Sequence, residues 1–148
     1  MRLILQRVSS AAVRVEGETV GEIGRGLLAL VGVEKGDGPA QAEAAAAKLA
    51  SLRCFEDAEG RMNLDARAAG GAFLVVSQFT LAGNPLARGR RPSFSDAAPP
   101  AQAEPLVDQI VGHLRAEGFE VATGRFGAMM EVALVNDGPV TFVLDVGP

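Results

Sequence analysis

Few side chains in this sequence could perform hydrolytic chemistry by the usual routes. The chain of 148 residues contains one histidine, His113, and one cysteine, Cys54. No G-x-S-x-G sequence is present that would expose a nucleophilic serine. Cys54 lies in a strand-like stretch, and the chain has no histidine besides His113 that could activate it. We therefore expect neither a Ser-His-Asp hydrolase nor a cysteine hydrolase, and we expect His113 and Cys54 to be structural residues.

Metal and cofactor chemistry has no better support. One cysteine and one histidine cannot provide the usual ligands of zinc within one chain. The sequence contains no P-loop and no G-x-G-x-x-G between a strand and a helix. We expect no metal and no cofactor.

The stretch Ser77-Gln78-Phe79-Thr80-Leu81 offers chemistry of another kind. It follows the apolar run 72–76, so it lies where a buried strand turns polar. Free backbone N–H groups at such a strand end, from Gln78 to Thr80, could stabilise an oxyanion by about 3 kcal/mol per donor. Donors alone suffice only for a reactive substrate such as an activated ester. The stretch could equally be the plain end of a core strand.

A second stretch, Asn136-Asp137-Gly138-Pro139-Val140-Thr141, lies between the apolar runs 132–135 and 140–144. Gly and Pro after Asn-Asp ordinarily form a turn, because Gly reaches unusual backbone angles and Pro fixes its own φ. We expect a rigid turn between two paired strands. A cis bond before Pro139 would also fit a tight turn.

The elements that position these stretches follow from apolar periodicity and from turn residues. The long loop 82–100 exceeds a simple connection, so we expect it to have a function. The predicted helices are 40–52 and 101–117, the second ending at Gly118. The predicted strands are 2–8, 12–15, 19–23, 27–33, 53–56, 62–64, 72–76, 119–122, 130–135 and 140–144.

Composition places the chain in one globular domain, 1–148. It is 48% hydrophobic and 22% charged, and its net charge of −4 disfavours a broad nucleic-acid-binding face. We expect no DNA partner, and only local contact with RNA through Arg88-Gly89-Arg90-Arg91, unless that cluster is merely a solvated loop. No run approaches the roughly 18 apolar residues of a membrane span. We expect no membrane association and a cytoplasmic location.

Several motifs together resemble the D-aminoacyl-tRNA deacylases. They are Ser77-Gln78-Phe79-Thr80-Leu81, Gly89-Arg90-Arg91-Pro92-Ser93-Phe94-Ser95, Thr123-Gly124-Arg125-Phe126-Gly127 and Asn136-Asp137-Gly138-Pro139-Val140-Thr141. The likeness runs from Arg2 to Asp145, and one departure is the segment 82–88, which lacks the usual acidic-Thr pattern. The resemblance implies a compact α/β domain with a mixed, partly barrel-like sheet and two main helices, which forms a homodimer.

The resemblance also implies a reaction, the hydrolysis of the ester of D-aminoacyl-tRNA, and we expect glycyl-tRNA to be hydrolysed too if selection works by excluding L side chains. A cis Gly138-Pro139 motif of one subunit would enter the partner's pocket and exclude L side chains, while Arg7 would brace it. The terminal 2′-OH of the tRNA would help to activate water, or Thr80 would act as the nucleophile. The implied catalytic residues are Ser77, Gln78, Phe79 and Thr80. The implied substrate-binding residues are Gly138, Pro139, Arg7, Met129, Phe126 and Asn136.

Two other functions remain open on the residues alone. The chain could be a non-catalytic RNA-binding or oligomeric scaffold module in which both motifs are only turns. The absence of Tyr and Trp disfavours a stacking platform for single-stranded RNA, although seven phenylalanines are present. It could also be a Thr80-dependent hydrolase of small esters.

Overall fold

The computed structural model describes residues 1–147, which form two layers around a mixed sheet. A 3₁₀ turn, Phe79–Ala82, follows the sixth strand. The strands are β1 Arg2–Val15, β2 Glu18–Ile23, β3 Gly26–Gly32, β4 Phe55–Glu56, β5 Met62–Leu64, β6 Ala72–Ser77, β7 Val121–Thr123 and β8 Glu131–Asp145. The helices are α1 Pro39–Ser51, α2 Ala66–Ala69 and α3 Pro100–Ala116.

The main sheet is organised around β1, which is long enough to serve several partners. Its first half pairs with β3 and its second half with β2, while β8 runs antiparallel along nearly its whole length. β3, β6 and β7 are parallel neighbours. β2 closes towards β7 so tightly that a Cβ at Gly21 would lie 2.2 Å from the Thr123 carbonyl oxygen. The predicted mixed, partly barrel-like sheet is confirmed.

The sheet has an apolar core on each face. One core lies inside the curved sheet, and the other lies between the sheet and helices α1 and α3. The apolar runs of β3 and β6 are buried almost throughout because these central strands are covered on both faces. This packing fixes the end of β6, where the chain turns polar at Ser77.

Most predicted elements are confirmed, and two strand boundaries were wrong. The predicted strands 2–8 and 12–15 are one continuous strand, because Ser10 keeps its place in the ladder opposite Val135. The predicted strands 130–135 and 140–144 are likewise one strand, β8. The short helix α2 was not predicted; Asp65 caps its start and Gly70 ends it in the left-handed conformation.

Candidate active site

The chain leaves β6 at Ser77 and enters the 3₁₀ turn, and we call residues 77–82 the strand-end turn. The Gln78 N–H donates to the Val31 carbonyl oxygen at 2.8 Å, so it is not free as the sequence suggested. Phe79 and Thr80 open the 3₁₀ turn, where N–H groups have no acceptor within the turn. Within residues 1–147 neither N–H has an acceptor elsewhere. The strand-end turn thus offers two adjacent oxyanion donors.

The side chains of the strand-end turn orient one another. The Gln78 side-chain amide donates to Thr80 Oγ1. Across the part of the chain that the structure describes, no carboxylate or imidazole bonds to the Thr80 hydroxyl. A base that could make Thr80 a strong nucleophile is therefore not in contact with it.

The two residues expected to be structural are found in such positions. His113 is exposed on α3. Cys54 is buried, and burial raises the pKa of its thiol. A buried thiol with a raised pKa is a poor nucleophile.

An aromatic wall stands beside the strand-end turn. The Phe79 ring is exposed and meets the Phe94 ring edge-on, with ring centroids 5.3 Å apart. Phe94 is held there by a short antiparallel pair between Asn84 and Ser93, with N···O distances of 2.7 and 3.0 Å. This pair closes the base of the loop 85–92. Phe94 belongs to a motif noted in the sequence, but its contact across the loop could not be read from local patterns.

The loop 85–92 carries the basic cluster. Arg88, Arg90 and Arg91 are all exposed, and none has a carboxylate within ion-pair distance among residues 1–147. A polar cavity of about 260 Å³ lies between the end of the strand-end turn and the start of the loop, and the carboxylates of Glu34 and Asp96 line it. The cluster is thus a local cationic surface on a loop that follows the strand-end turn in the chain.

The Gly138-Pro139 motif is a bulge in β8 and does not reverse the chain. Thr141 pairs with Gln6, and Asn136 pairs with Val8. Four residues of β8, 137–140, therefore lie opposite one residue of β1. The peptide between Gly138 and Pro139 is cis, as expected, and both residues are exposed. The bulge thus exposes Gly138 and Pro139 on the edge strand of the sheet.

Arg7 is the residue of β1 that lies opposite the bulge. Its side chain is buried, and its Nε donates to the Asp137 carbonyl oxygen at 2.9 Å. Its Nη1 donates to the Cys54 carbonyl oxygen at 2.8 Å. The Glu56 carboxylate lies 3.7 Å from Nη2. The guanidinium therefore ties the bulge to the start of β4. Its contact with the bulge agrees with the bracing role that the resemblance implied for Arg7, whereas its contact with the Cys54 carbonyl has no local signal in the sequence.

The other side of the bulge is fixed by Asn136 and by the shape of Gly138. Asn136 Oδ1 accepts from the Val140 N–H at 2.7 Å, and its Nδ2 donates to Thr141 Oγ1 at 3.0 Å. Gly138 has φ of +148°, and a Cβ there would lie 2.8 Å from the Val140 nitrogen. Only glycine fits this position without a shift of the backbone.

The structure keeps the strand-end turn and the bulge apart within one chain. Arg7 lies opposite Leu27 of β3, whereas Ser77 lies opposite Val31. Four residues of rise make this separation about 13 Å along the strands. Three inter-strand spacings between β8 and β6 add about 14 Å across them. The two groups of predicted site residues therefore form separate patches.

The remaining predicted site residues lie between β7 and β8. Phe126 is half-buried and packs against the core between sheet and helices. Met129 is 91% exposed.

Within residues 1–147, no three His, Cys, Asp or Glu side chains are grouped so that they could hold a metal ion. No helix in this range is long and apolar enough to cross a membrane.

The D-Tyr-tRNA(Tyr) deacylase family model matches residues 4–145, nearly the whole chain. The chain belongs to this family. Among its relatives, a D-aminoacyl-tRNA deacylase of Pelobacter propionicus is 58% identical over 145 residues, covering 98% of this chain and 99% of the relative. One of a Roseiflexus species is 60% identical, covering 98% and 93%. The resemblance inferred from the motifs is confirmed.

Solved structures show the same fold. A protein described as a c-Myc DNA Unwinding Element Binding Protein superposes with a TM-score of 0.92 at 36% identity, covering both chains fully. A probable eukaryotic D-amino acid tRNA deacylase superposes with a TM-score of 0.81 at 18% identity, covering 98% of each chain. Because the second structure is only 18% identical in sequence, its similarity shows a shared fold and nothing more. Both support the α/β class predicted from the sequence.

Proposed function

We propose that this chain hydrolyses the ester of D-aminoacyl-tRNA and releases the free amino acid and tRNA. The observation that carries this proposal is the 58% identity to a deacylase over nearly the full length of both chains. The site supports it, because two free N–H groups and no contacting base suit a substrate that is already an activated ester. As part of translation quality control, the activity would be cytoplasmic.

The mechanism we propose relies on the substrate for part of its chemistry. Water attacks the ester carbonyl, and the N–H groups of Phe79 and Thr80 stabilise the developing oxyanion. The 2′-OH of the terminal ribose assists removal of a proton from the water. The C–O bond to the 3′ oxygen then breaks, and that oxygen takes up a proton. Gln78 holds the Thr80 hydroxyl in place, so Thr80 orients rather than attacks.

We further propose that chirality is selected between subunits of a homodimer. The bulge cannot sit over the strand-end turn of its own chain, since the two lie about 13 Å apart along the strands and about 14 Å across them. In a dimer, the carbonyls of the exposed residues Gly138 and Pro139 would enter the partner's pocket and occupy the space that an L side chain needs. A D side chain would point away from them.

The surface of β8 supports such an assembly. β8 pairs with β1 on one edge only, so within the described residues its other edge is open. Its exposed apolar side chains include Val135, Phe142 and Val143. A long, open, apolar edge strand ordinarily requires a cover, and a second copy of β8 would provide one. Sedimentation velocity should show a dimer; a monomer at every concentration would contradict selection between subunits.

Deacylation of D-alanyl-, L-alanyl- and glycyl-tRNA, measured side by side, tests activity and selection together. We expect the D substrate to be hydrolysed and the L substrate to be spared. Glycyl-tRNA should behave like the D substrate, because exclusion needs no contact with a side chain. If the site instead recognised a D side chain, glycine would lose a contact of about 1–3 kcal/mol. Hydrolysis of none of the three would refute the proposed activity.

We propose that the arginines of loop 85–92 contact phosphates near the acceptor end of the tRNA. They are exposed, they lie on the loop that follows the strand-end turn, and they have no carboxylate partners in the described part of the chain. Arg90→Gln should raise KM, and it should weaken the dependence of KM on salt because one phosphate contact is lost. Arg61→Gln is the matched control, since Arg61 is also exposed but lies in the turn before β5. Equal effects of both variants, or equal competition by duplex DNA, would contradict the assignment.

A further inference from the structure

The Asn136 side chain turns inwards across the bulge of β8. Its Oδ1 accepts a hydrogen bond from the Val140 N–H at 2.7 Å. Its Nδ2 donates to the Val140 carbonyl oxygen at 3.3 Å and to Thr141 Oγ1 at 3.0 Å. Both ends of the amide are therefore used within the bulge. Because the Val140 N–H can only donate, it requires the amide oxygen on its side, and the orientation of the amide follows.

This amide replaces ladder hydrogen bonds that the bulge removes. β8 pairs with β1 through Asn136 before the bulge and through Thr141 after it. Val140 lies between these two residues and outside the ladder. An unpaired buried backbone group is costly, and Val140 is buried. The side chain of Asn136 bonds to both the N–H and the carbonyl oxygen of Val140. In a regular ladder a neighbouring strand would bond to these two groups.

The bulge is consequently held at two points, with the exposed residues between them. Arg7 holds the entry through the Asp137 carbonyl oxygen. Asn136 holds the exit through Val140. Gly138 and Pro139 lie between these two points, and neither has a side chain that could form a hydrogen bond. Their carbonyl positions thus depend on both clamps.

We propose that Asn136 is a positioning residue for stereochemical selection, which acts through the backbone of the bulge and does not touch the substrate. The inference rests on the proposed function, in which the Gly138 and Pro139 carbonyls exclude an L side chain. Exclusion works only if those carbonyls cannot retreat. A looser exit would let them move and admit the L substrate.

Asn136→Asp tests the proposal with almost no change of shape. The carboxylate keeps an acceptor for the Val140 N–H, loses both donors, and faces the Val140 carbonyl oxygen with like partial charge. Loss of about 1.4 kcal/mol of clamp energy should raise the ratio of L-alanyl- to D-alanyl-tRNA hydrolysis about tenfold. Thr141→Val removes one acceptor and should raise the ratio less, whereas Thr141→Ser should keep it near wild type.

The ratio is the decisive readout, because a merely structural role would lower both rates alike. An unchanged ratio in Asn136→Asp, or a raised KM for the D substrate alone, would overturn the proposal. If Asn136→Asp does not fold, the comparison of Thr141→Val with Thr141→Ser decides, and equal ratios in the two would overturn it. Failure of the proposed function is distinguishable, since the wild-type protein would then not discriminate D from L.

Discussion

Replacing Arg7 with Met would show how much of the stability depends on the tie between the bulge and β4. Arg7 is 4% exposed, and Met keeps an unbranched apolar stem while it removes the guanidinium group. Two hydrogen bonds are lost, one to the Asp137 carbonyl oxygen at 2.9 Å and one to the Cys54 carbonyl oxygen at 2.8 Å. The Cys54 carbonyl is left buried without this donor.

The magnitude follows from those two bonds. A hydrogen bond from a charged donor contributes about 1.5–3 kcal/mol. The ion pairs with Glu56 and Asp137 add little, because both carboxylates are more than half exposed and lie 3.7 Å from the guanidinium. Burial of the Met side chain recovers part of the loss, and we expect a net destabilisation of about 3 kcal/mol. The protein should remain folded, since ordinary domains have about 5–15 kcal/mol of stability.

Urea unfolding at one fixed protein concentration would measure this change. With an m-value of about 2 kcal/mol/M, the midpoint should fall by about 1.5 M. Arg2→Met is the matched control, because Arg2 lies on the same strand but pairs with Asp145 in an exposed position. The control should change the free energy of unfolding by less than about 1 kcal/mol. Equal midpoints for Arg7→Met and wild type would refute the bracing role of Arg7.

Three further predictions concern single residues. Thr80→Val should retain D-alanyl-tRNA hydrolysis within about tenfold, since one side-chain hydrogen bond is lost, whereas substrate lacking the terminal 2′-OH should be nearly inert; the opposite pattern would make Thr80 the nucleophile. Gly138→Ala should increase L-alanyl-tRNA hydrolysis, because its Cβ would lie 2.6 Å from Val140 Cγ2 and displace the bulge; unchanged selectivity would contradict this. Cys54 should react with a thiol reagent only in urea, because burial raises the pKa of its thiol; labelling of the folded protein would show that the site opens.

The sequence predicted well the elements whose signals are local. The apolar runs of β3 and β6, and the helix between Pro39 and Ser51, depend on neighbours in the chain. The continuity of β1, by contrast, does not depend on neighbouring residues in the chain. Ser9 and Ser10 are exposed polar residues that look like a break, yet Ser10 stays in the ladder because it pairs with Val135. That partner is distant in the sequence, so local patterns do not reveal the pairing.

The same limit applies to the bulge. Asn136, Asp137, Gly138 and Pro139 have the chemistry of a reversing turn, and the sequence predicted one. The structure shows an excursion from a continuing strand, because β8 regains its pairing with β1 at Thr141. Tertiary pairing thus overrides the local preference. As a consequence, Gly138 and Pro139 are exposed within an edge strand and do not lie at a chain reversal between two strands.

Whether the bulge acts on its own chain or on a partner can be decided with mixed dimers. One chain would carry Phe79→Pro, which removes an oxyanion donor at the first position of the 3₁₀ turn, where proline is tolerated. The other would carry Gly138→Ala. Two different affinity tags allow the heterodimer to be purified.

The two arrangements give opposite selectivity in that heterodimer. If the bulge acts on the partner, the intact strand-end turn of the Gly138→Ala chain meets the intact bulge of the Phe79→Pro chain. That site should hydrolyse D-alanyl-tRNA and reject L-alanyl-tRNA as the wild type does, while the other site carries both defects and is inactive. If the bulge acts on its own chain, the only working site carries Gly138→Ala, and the heterodimer should be as unselective as the Gly138→Ala homodimer. A heterodimer with relaxed selectivity would therefore exclude selection between subunits.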